Sequence, residues 1–140
     1  MTIRIPNSLQ FDLWTGALAV SGAYRVILLT NQYAHSPTHS RRSDLTAFEI
    51  AATGGYATGG VSATLSHATD GTTGNHLLTL GGATVGTGPI SCQWVAWVRW
   101  RGGAASADEL IALLDMGRQI TSDVPLVVPA QVIQTLRRGG

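Results

Sequence analysis

Hydrophobic and polar residues alternate with a period of two over residues 61–66, where Val61, Ala63 and Leu65 interleave with Ser62, Thr64 and Ser66. A strand turns successive side chains to opposite faces, so this pattern predicts a half-buried strand with aliphatics inward and hydroxyls outward. Residues 24–30 carry a different signal, being apolar except for Arg25 and the terminal Thr30 and partly β-branched or aromatic. Such a run predicts a strand buried on both faces or packed at a subunit contact. Polar Asn31 and Gln32 mark its end. Further strands are expected at 3–5, 46–52, 76–80, 90–101 and 109–116, separated by Gly, Asn, Asp and Pro clusters that supply turn geometry.

The longest of these, 90–101, places Cys92, Trp94, Ala96, Val98 and Trp100 on one face and Gln93, Val95, Trp97, Arg99 and Arg101 on the other. The first face reads as core and the second as mixed. On the mixed face Trp97 fits two roles, an interface anchor beside Arg99 or a side chain covered by its own chain. The 109–116 strand repeats the arrangement, with Leu110, Ala112, Leu114 and Met116 opposed to Glu109, Ile111, Leu113 and Asp115, and is expected to form a hairpin with it. The connection at 101–107 reads as an exposed loop, with a short helix through 106–110 as the alternative. Near the C-terminus, Pro129 followed by Val132, Ile133 and Leu136 suits a helix or a strand, and the β-rich 124–128 before it favours the strand. The expected fold is therefore all-β, a jelly roll or related β-sandwich with little helix, in one domain over 1–140.

Two loops stand out. Residues 34–43, AHSPTHSRRS, have turn formers, two histidines and an arginine pair but no hydrophobic period, which predicts an exposed loop suited to act as an arm on a neighbouring subunit. The run 53–60, TGGYATGG, predicts a tight turn with close backbone packing around Tyr56.

Composition sharpens this picture. Only 12% of residues are charged against 44% hydrophobic, and Gly, Thr and Ser supply the remaining polarity, a balance that suits a β-rich assembly component better than a helical enzyme. All nine basic residues are Arg, which reflects either codon usage or the use of guanidinium groups in planar and interfacial contacts. A net charge of +1 predicts neither nucleic-acid nor membrane binding through a general field. Cys92 stands alone, so no disulfide framework or Cys-based zinc site is expected, and the thiol suits a reducing cytosol. The N-terminal residues lack a signal-peptide layout and no apolar stretch reaches about 18 residues, which places assembly in the host cytoplasm.

Catalytic constellations are not evident. There is no Gly-x-Ser-x-Gly elbow, and neither glycine-rich stretch, 54–60 or 81–88, has a phosphate-loop pattern. His35 and His39 are four apart, but Pro37 intervenes. His67 and His76 flank a loop with Asp70 and Asn75 that reads better as turn formers than as cation ligands. Asp44 and Glu49 could face one another across a bend, although isolated acids of this kind are usually solvated or salt-bridged. The reading is of a non-enzyme with no cofactor and no metal. The residues singled out for partner binding are the doublets Arg41, Arg42 and Arg137, Arg138, together with Trp97 and Arg99.

Three segments carry a resemblance. Residues 23–31 (AYRVILLTN), Ser43-Asp44 through Glu49, and Gly55-Tyr56-Ala57-Thr58-Gly59-Gly60, followed by a Trp-bearing late strand, look like a group of small tailed-phage virion proteins, over roughly residues 20–120. In length and layout the chain further resembles the jelly-roll cement, or decoration, proteins that clamp the exterior of HK97-like capsids. That resemblance implies a structural virion protein on the capsid exterior, with the major capsid protein as partner, and a homo-oligomer, preferably a dimer. It implies shell stabilisation by non-covalent bridging. A tail, neck or fibre component, or a carbohydrate- or ligand-binding β-sandwich with Trp97 stacked on a sugar, are the alternatives. Segments 1–19 and 123–140 match the group poorly.

Overall fold

The computed structural model of the protein describes residues 2–19, 21–122 and 125–136. Its strands are β1 (Thr2–Arg4), β2 (Tyr24–Leu29), β3 (Val61–Ala63), β4 (Leu65–Thr69), β5 (His76–Leu80), β6 (Ala83–Val85), β7 (Ile90–Arg99), β8 (Leu110–Ser122), β9 (Leu126–Val128) and β10 (Gln131–Leu136), with one short helix, α1 (Leu9–Trp14). Strand makes up 46% of the structure and helix 12%, and the sheets are antiparallel, so the fold is an all-β sandwich. The main sheet runs β1-β8-β7-β2-β3, and two smaller sheets are ordered β10-β5-β4 and β6-β9.

The unbroken apolar run of β2 is explained by burial on both sides of the main sheet. Val26 and Leu28 face a core shared with Val95, Trp97, Ala112 and Leu114, closed over by Leu65 and Leu80 of one small sheet and Val85 and Val128 of the other. Ile27 and Leu29 face a second core with Trp94, Ala96, Val98, Leu110 and Leu113. That second core is covered by Tyr33, Leu45 and Phe48, which come from the connection after β2. The expected distinction between a core face and a mixed face on β7 is therefore replaced by two core faces.

Bulges account for the displaced parities. Trp94 pairs with Asp115 but Cys92 pairs with Ile120, so 116–119 stand opposite Gln93 alone. Cys92 is thereby turned to the Val95 and Trp97 side, away from Trp94. The Gly117 N–H donates to Asp115 Oδ1 at 2.8 Å, stabilising the bulge, and β8 continues to Ser122 beyond the expected end at 116. A second irregularity between Trp97 and Val98 leaves Ile111 and Ala112 both in the Trp97 core.

Other expectations need correction. The alternating segment 61–66 divides at Thr64, where β3 stays in the main sheet and β4 joins the β10-β5-β4 sheet. Residues 46–52 do not form a strand; Thr46–Phe48 is a 3-10 turn and Glu49 makes an isolated bridge with Leu29. The 101–107 connection carries a 3-10 turn at Ala105–Ala107. Segment 131–136 is a strand, as preferred from sequence. Helix α1 was not foreseen, because its apolar positions Leu9, Phe11, Leu13 and Trp14 are too few to show a helical period.

The 34–43 loop is not a free arm. Tyr33 is buried, its hydroxyl hydrogen-bonds His39 Nδ1 at 2.7 Å, and the His35 ring stacks on Trp94 with centroids 6.2 Å apart. Burial, then the positive charges of Arg4 and His39, hold the His35 pKa below its ordinary value of 6.5. The unfolded chain then binds this proton before the folded one does. Stability linked to His35 is thus complete above pH 6.5 and is lost as pH falls through the lower folded value. Urea unfolding of the wild type and His35→Phe from pH 8 to pH 5 is expected to show a steeper decline in the wild type; parallel profiles would contradict it.

The TGGYATGG turn is built as its composition predicts. Tyr56 is buried, its hydroxyl donates to Glu49 Oε1 at 2.6 Å and accepts from the Leu28 N–H at 3.2 Å, and Glu49 Oε1 also accepts from the Gly59 N–H at 2.8 Å. Gly60 has φ +86°, and a Cβ there would approach the Val26 carbonyl oxygen to 2.1 Å. Only glycine meets both demands. The β2 strand, Glu49 and the Tyr56 turn therefore form one hydrogen-bonded unit.

Candidate functional site

At the end of the main sheet where β2 begins and β7 finishes, the chain gathers arginines from distant parts of the sequence. Arg25 enters from β2, Arg99 from the end of β7, Arg101 two residues later, and Arg41 and Arg42 from the long loop. The loop is brought here by backbone pairing, since Arg41 forms a bridge with Glu109 and the Arg42 N–H donates to the Asp108 carbonyl at 2.8 Å. Two of the arginines lie against Trp100, with the Arg25 guanidinium 4.0 Å and the Arg42 guanidinium 4.6 Å from the ring centroid. Cation–π contacts of this kind are worth about 0.5–2 kcal/mol, depending on desolvation.

Two buried carboxylates hold three of the five arginines. Asp108 is fully buried and accepts from Arg42 Nε at 2.7 Å and from the Arg101 backbone N–H at 3.0 Å. Glu109, 5% exposed, takes Arg101 Nη2 at 2.9 Å and Arg41 Nη1 at 3.2 Å. The hydrogen bond to Glu109 raises the Arg101 pKa further above its ordinary value. Two more acids lie close by. Asp44 Oδ2 accepts from the Ser40 and Arg41 backbone N–H groups, while burial raises the pKa of Asp12, which Arg41 opposes.

Arg25 and Arg99 differ from the other three. Neither has a carboxylate within salt-bridge distance among the described residues. Arg25 contacts the Gly59 carbonyl at 3.5 Å, and Arg99 contacts the Ala23 carbonyl at 3.4 Å while lying 5.3 Å from the Tyr24 ring centroid. A Cβ on Gly22 would overlap the Arg99 guanidinium, so the absence of a side chain there is what seats Arg99. Both arginines are half-buried, and among the described residues no carboxylate pairs with either guanidinium.

Of the residues singled out from sequence, Arg41, Arg42 and Arg99 come together here. Arg42 is largely structural, with its side chain 11% exposed against 40% for Arg41. Trp97 is excluded as an interface anchor or sugar platform, since it is completely buried and its indole N–H donates to the Gly81 carbonyl at 3.0 Å. Arg137 and Arg138 lie outside the described residues. Sequence reasoning missed Arg25, Trp100, Arg101, Asp108 and Glu109. The available signal was the basic-aromatic triplet Arg99-Trp100-Arg101 facing the acidic doublet Asp108-Glu109 across a hairpin loop. No protein-family model, curated protein or solved structure matches the chain.

The remaining candidates separate in space or take local roles. Asp44 and Glu49 do not face one another, each being engaged by different backbone N–H groups. His67 and His76 lie on adjacent strands β4 and β5, and Asp70 Oδ1 accepts from the Thr72 N–H in the turn between them. Among the described residues no helix is long and apolar enough to cross a membrane.

Proposed function

We propose that the chain is a structural virion protein that binds the outer surface of an HK97-like phage capsid and bridges major capsid proteins without covalent bonds. The resemblance in residues 23–31, 43–49 and 55–60 supports a virion protein. The observation that carries docking is two half-buried guanidinium groups at one sheet end that meet no carboxylate among the described residues, Arg25 against Trp100 on one face of the sheet and Arg99 against Tyr24 on the other. Arginine and aromatic side chains in such a setting fit an acidic patch on a partner, where carboxylates would complete the guanidinium hydrogen bonding. Each copy needs only a modest affinity, because bridging two capsid subunits makes the second contact intramolecular.

The test is co-sedimentation of the purified protein with emptied, expanded capsids of its phage, with unexpanded shells and tails alongside. Saturable binding at a fixed ratio to expanded shells is expected. Arg25→Glu combined with Arg99→Glu is expected to bind about tenfold or more weakly at low salt, with a shallower salt dependence. Binding by the wild type to tails alone, or to no particle, would overturn the capsid reading. Full binding by the double variant with unchanged salt dependence would remove the arginine cluster from it.

A further inference from the structure

Residues 34–40 form a strap over Trp94, and its two ends are firmly held. At the far end the Arg42 N–H donates to the Asp108 carbonyl at 2.8 Å and the Leu110 N–H donates to the Ser40 carbonyl at 2.9 Å, which ties the chain to the start of β8. At the near end Tyr33 is buried edge-on against Trp94 and Phe48, with ring centroids 5.2 and 5.6 Å away. Between these ends the strap rests on the His35–Trp94 stack and on the hydrogen bond from the Asn7 N–H to the Pro37 carbonyl at 3.0 Å. The closed strap leaves polar atoms unmet. His35 Nδ1 and Trp94 Nε1, on the two stacked rings, are both buried without a hydrogen-bond partner among the described residues. Each such atom costs about 1–3 kcal/mol, and opening the strap returns both to water. Closure of 34–40 is therefore weakly stabilised beside its anchored ends.

A proton on His35 tips this balance. An imidazolium carries N–H on both nitrogens, so a charged His35 has its Nδ1–H buried with no acceptor. Around it, Arg4 of β1 and His39 of the same loop both oppose a positive charge. Asp115, the cross-strand neighbour of Trp94 on β8, makes no ion pair with His35 among the described residues. It accepts instead from the Gly117 N–H at 2.8 Å and from Gln93 Nε2 at 3.4 Å. Stacking returns little, because centroids 6.2 Å apart lie at the limit of cation–π attraction, about 6 Å. His39 differs, since its Nδ1 faces the Tyr33 hydroxyl, a group that accepts as well as donates and on which Asp44 also acts. We propose that residues 34–40 are an acid-released strap: protonation of His35 swings them off the main sheet about the Tyr33 and Ser40 ends and uncovers Trp94, while the rest of the fold stays closed. Arg41 and Arg42 remain on Glu109 and Asp108, so the opening stands whether or not the arginine cluster docks on a capsid.

The measurement is hydrogen exchange of the full chain by NMR from pH 8 to pH 5, with each rate referred to the intrinsic rate at that pH. The Asn7 N–H and the Trp94 indole N–H report the strap, and the Leu110 N–H reports its anchored end. The Trp97 indole N–H, bonded to the Gly81 carbonyl at 3.0 Å, reports the core. In the wild type, protection at Asn7 and Trp94 is expected to fall on the order of tenfold towards pH 5, with Leu110 and Trp97 unchanged. His35→Phe keeps a ring on Trp94 and takes up no proton, so its strap should stay protected across the range. His35→Gln, neutral and polar, should do the same and serves where the phenyl ring disturbs folding. Constant protection at Asn7 and Trp94 in the wild type, or an equal loss in the neutral variants, would overturn the proposal. Loss at Leu110 and Trp97 together with the strap would do so too, because the fold then opens as one unit.

Discussion

Trp97→Ala is expected to destabilise the protein by about 3–5 kcal/mol, read as a lower urea midpoint at unchanged slope. Trp97 is fully buried in the core between the main sheet and the two smaller sheets, and its indole N–H bonds the Gly81 carbonyl in the connection between β5 and β6. Truncation removes the largest fully buried side chain among the described residues and leaves both a cavity and an unpartnered carbonyl. With total stabilities of about 5–15 kcal/mol for native proteins, the variant is left marginal. Trp97→Phe separates the contributions, since it retains an aromatic ring and loses the hydrogen bond, and a loss of about 1–3 kcal/mol is expected. A cost below about 1 kcal/mol for Trp97→Ala would mean that the sheets are not held together at this point.

Asp108→Ala is the second large effect, expected at about 3–5 kcal/mol because it breaks a buried ion pair from one side. Asp108 has no exposed surface, and its two oxygens separately serve the Arg42 guanidinium and the Arg101 backbone N–H. Its removal strands a guanidinium whose side chain is only 11% exposed and loosens the long loop where it reaches β8. Arg41→Ala provides the contrast. Arg41 is 40% exposed, so its pairing with Glu109 is solvent-screened and its loss should cost under about 1 kcal/mol. Equal costs for the two variants, measured by urea unfolding, would show that burial is not what gives Asp108 its weight.

These two residues also mark how far the sequence could be read. Trp97 sat on a strand whose existence and extent were legible, yet its role was not, because alternation assigns a face without saying what lies over it. Here a second pair of sheets covers one face and the 31–50 connection covers the other. Cys92 shows the same limit from another cause: the bulge opposite Gln93 reverses the parity of β7, and a bulge follows from cross-strand register rather than from local pattern. Arg42 was legible as a cation. Its burial depends on Asp108, which is 66 positions away in the chain.

What the sequence by itself determined was the all-β character, the strands at β2, β5, β7 and β8, and the turn around Tyr56. Each of these rests on local physics: side-chain period, β-branched and aromatic content, and the positive φ values open to glycine. The tertiary structure alone decided the rest. It divided 61–66 between two sheets, folded the 34–43 loop onto Trp94, buried Trp97, set Arg25 and Arg42 against Trp100, and brought Arg41 and Arg101 to Glu109. Those outcomes are contacts between residues remote in sequence, where solvent exclusion and charge pairing act across space and no short-range pattern can encode them.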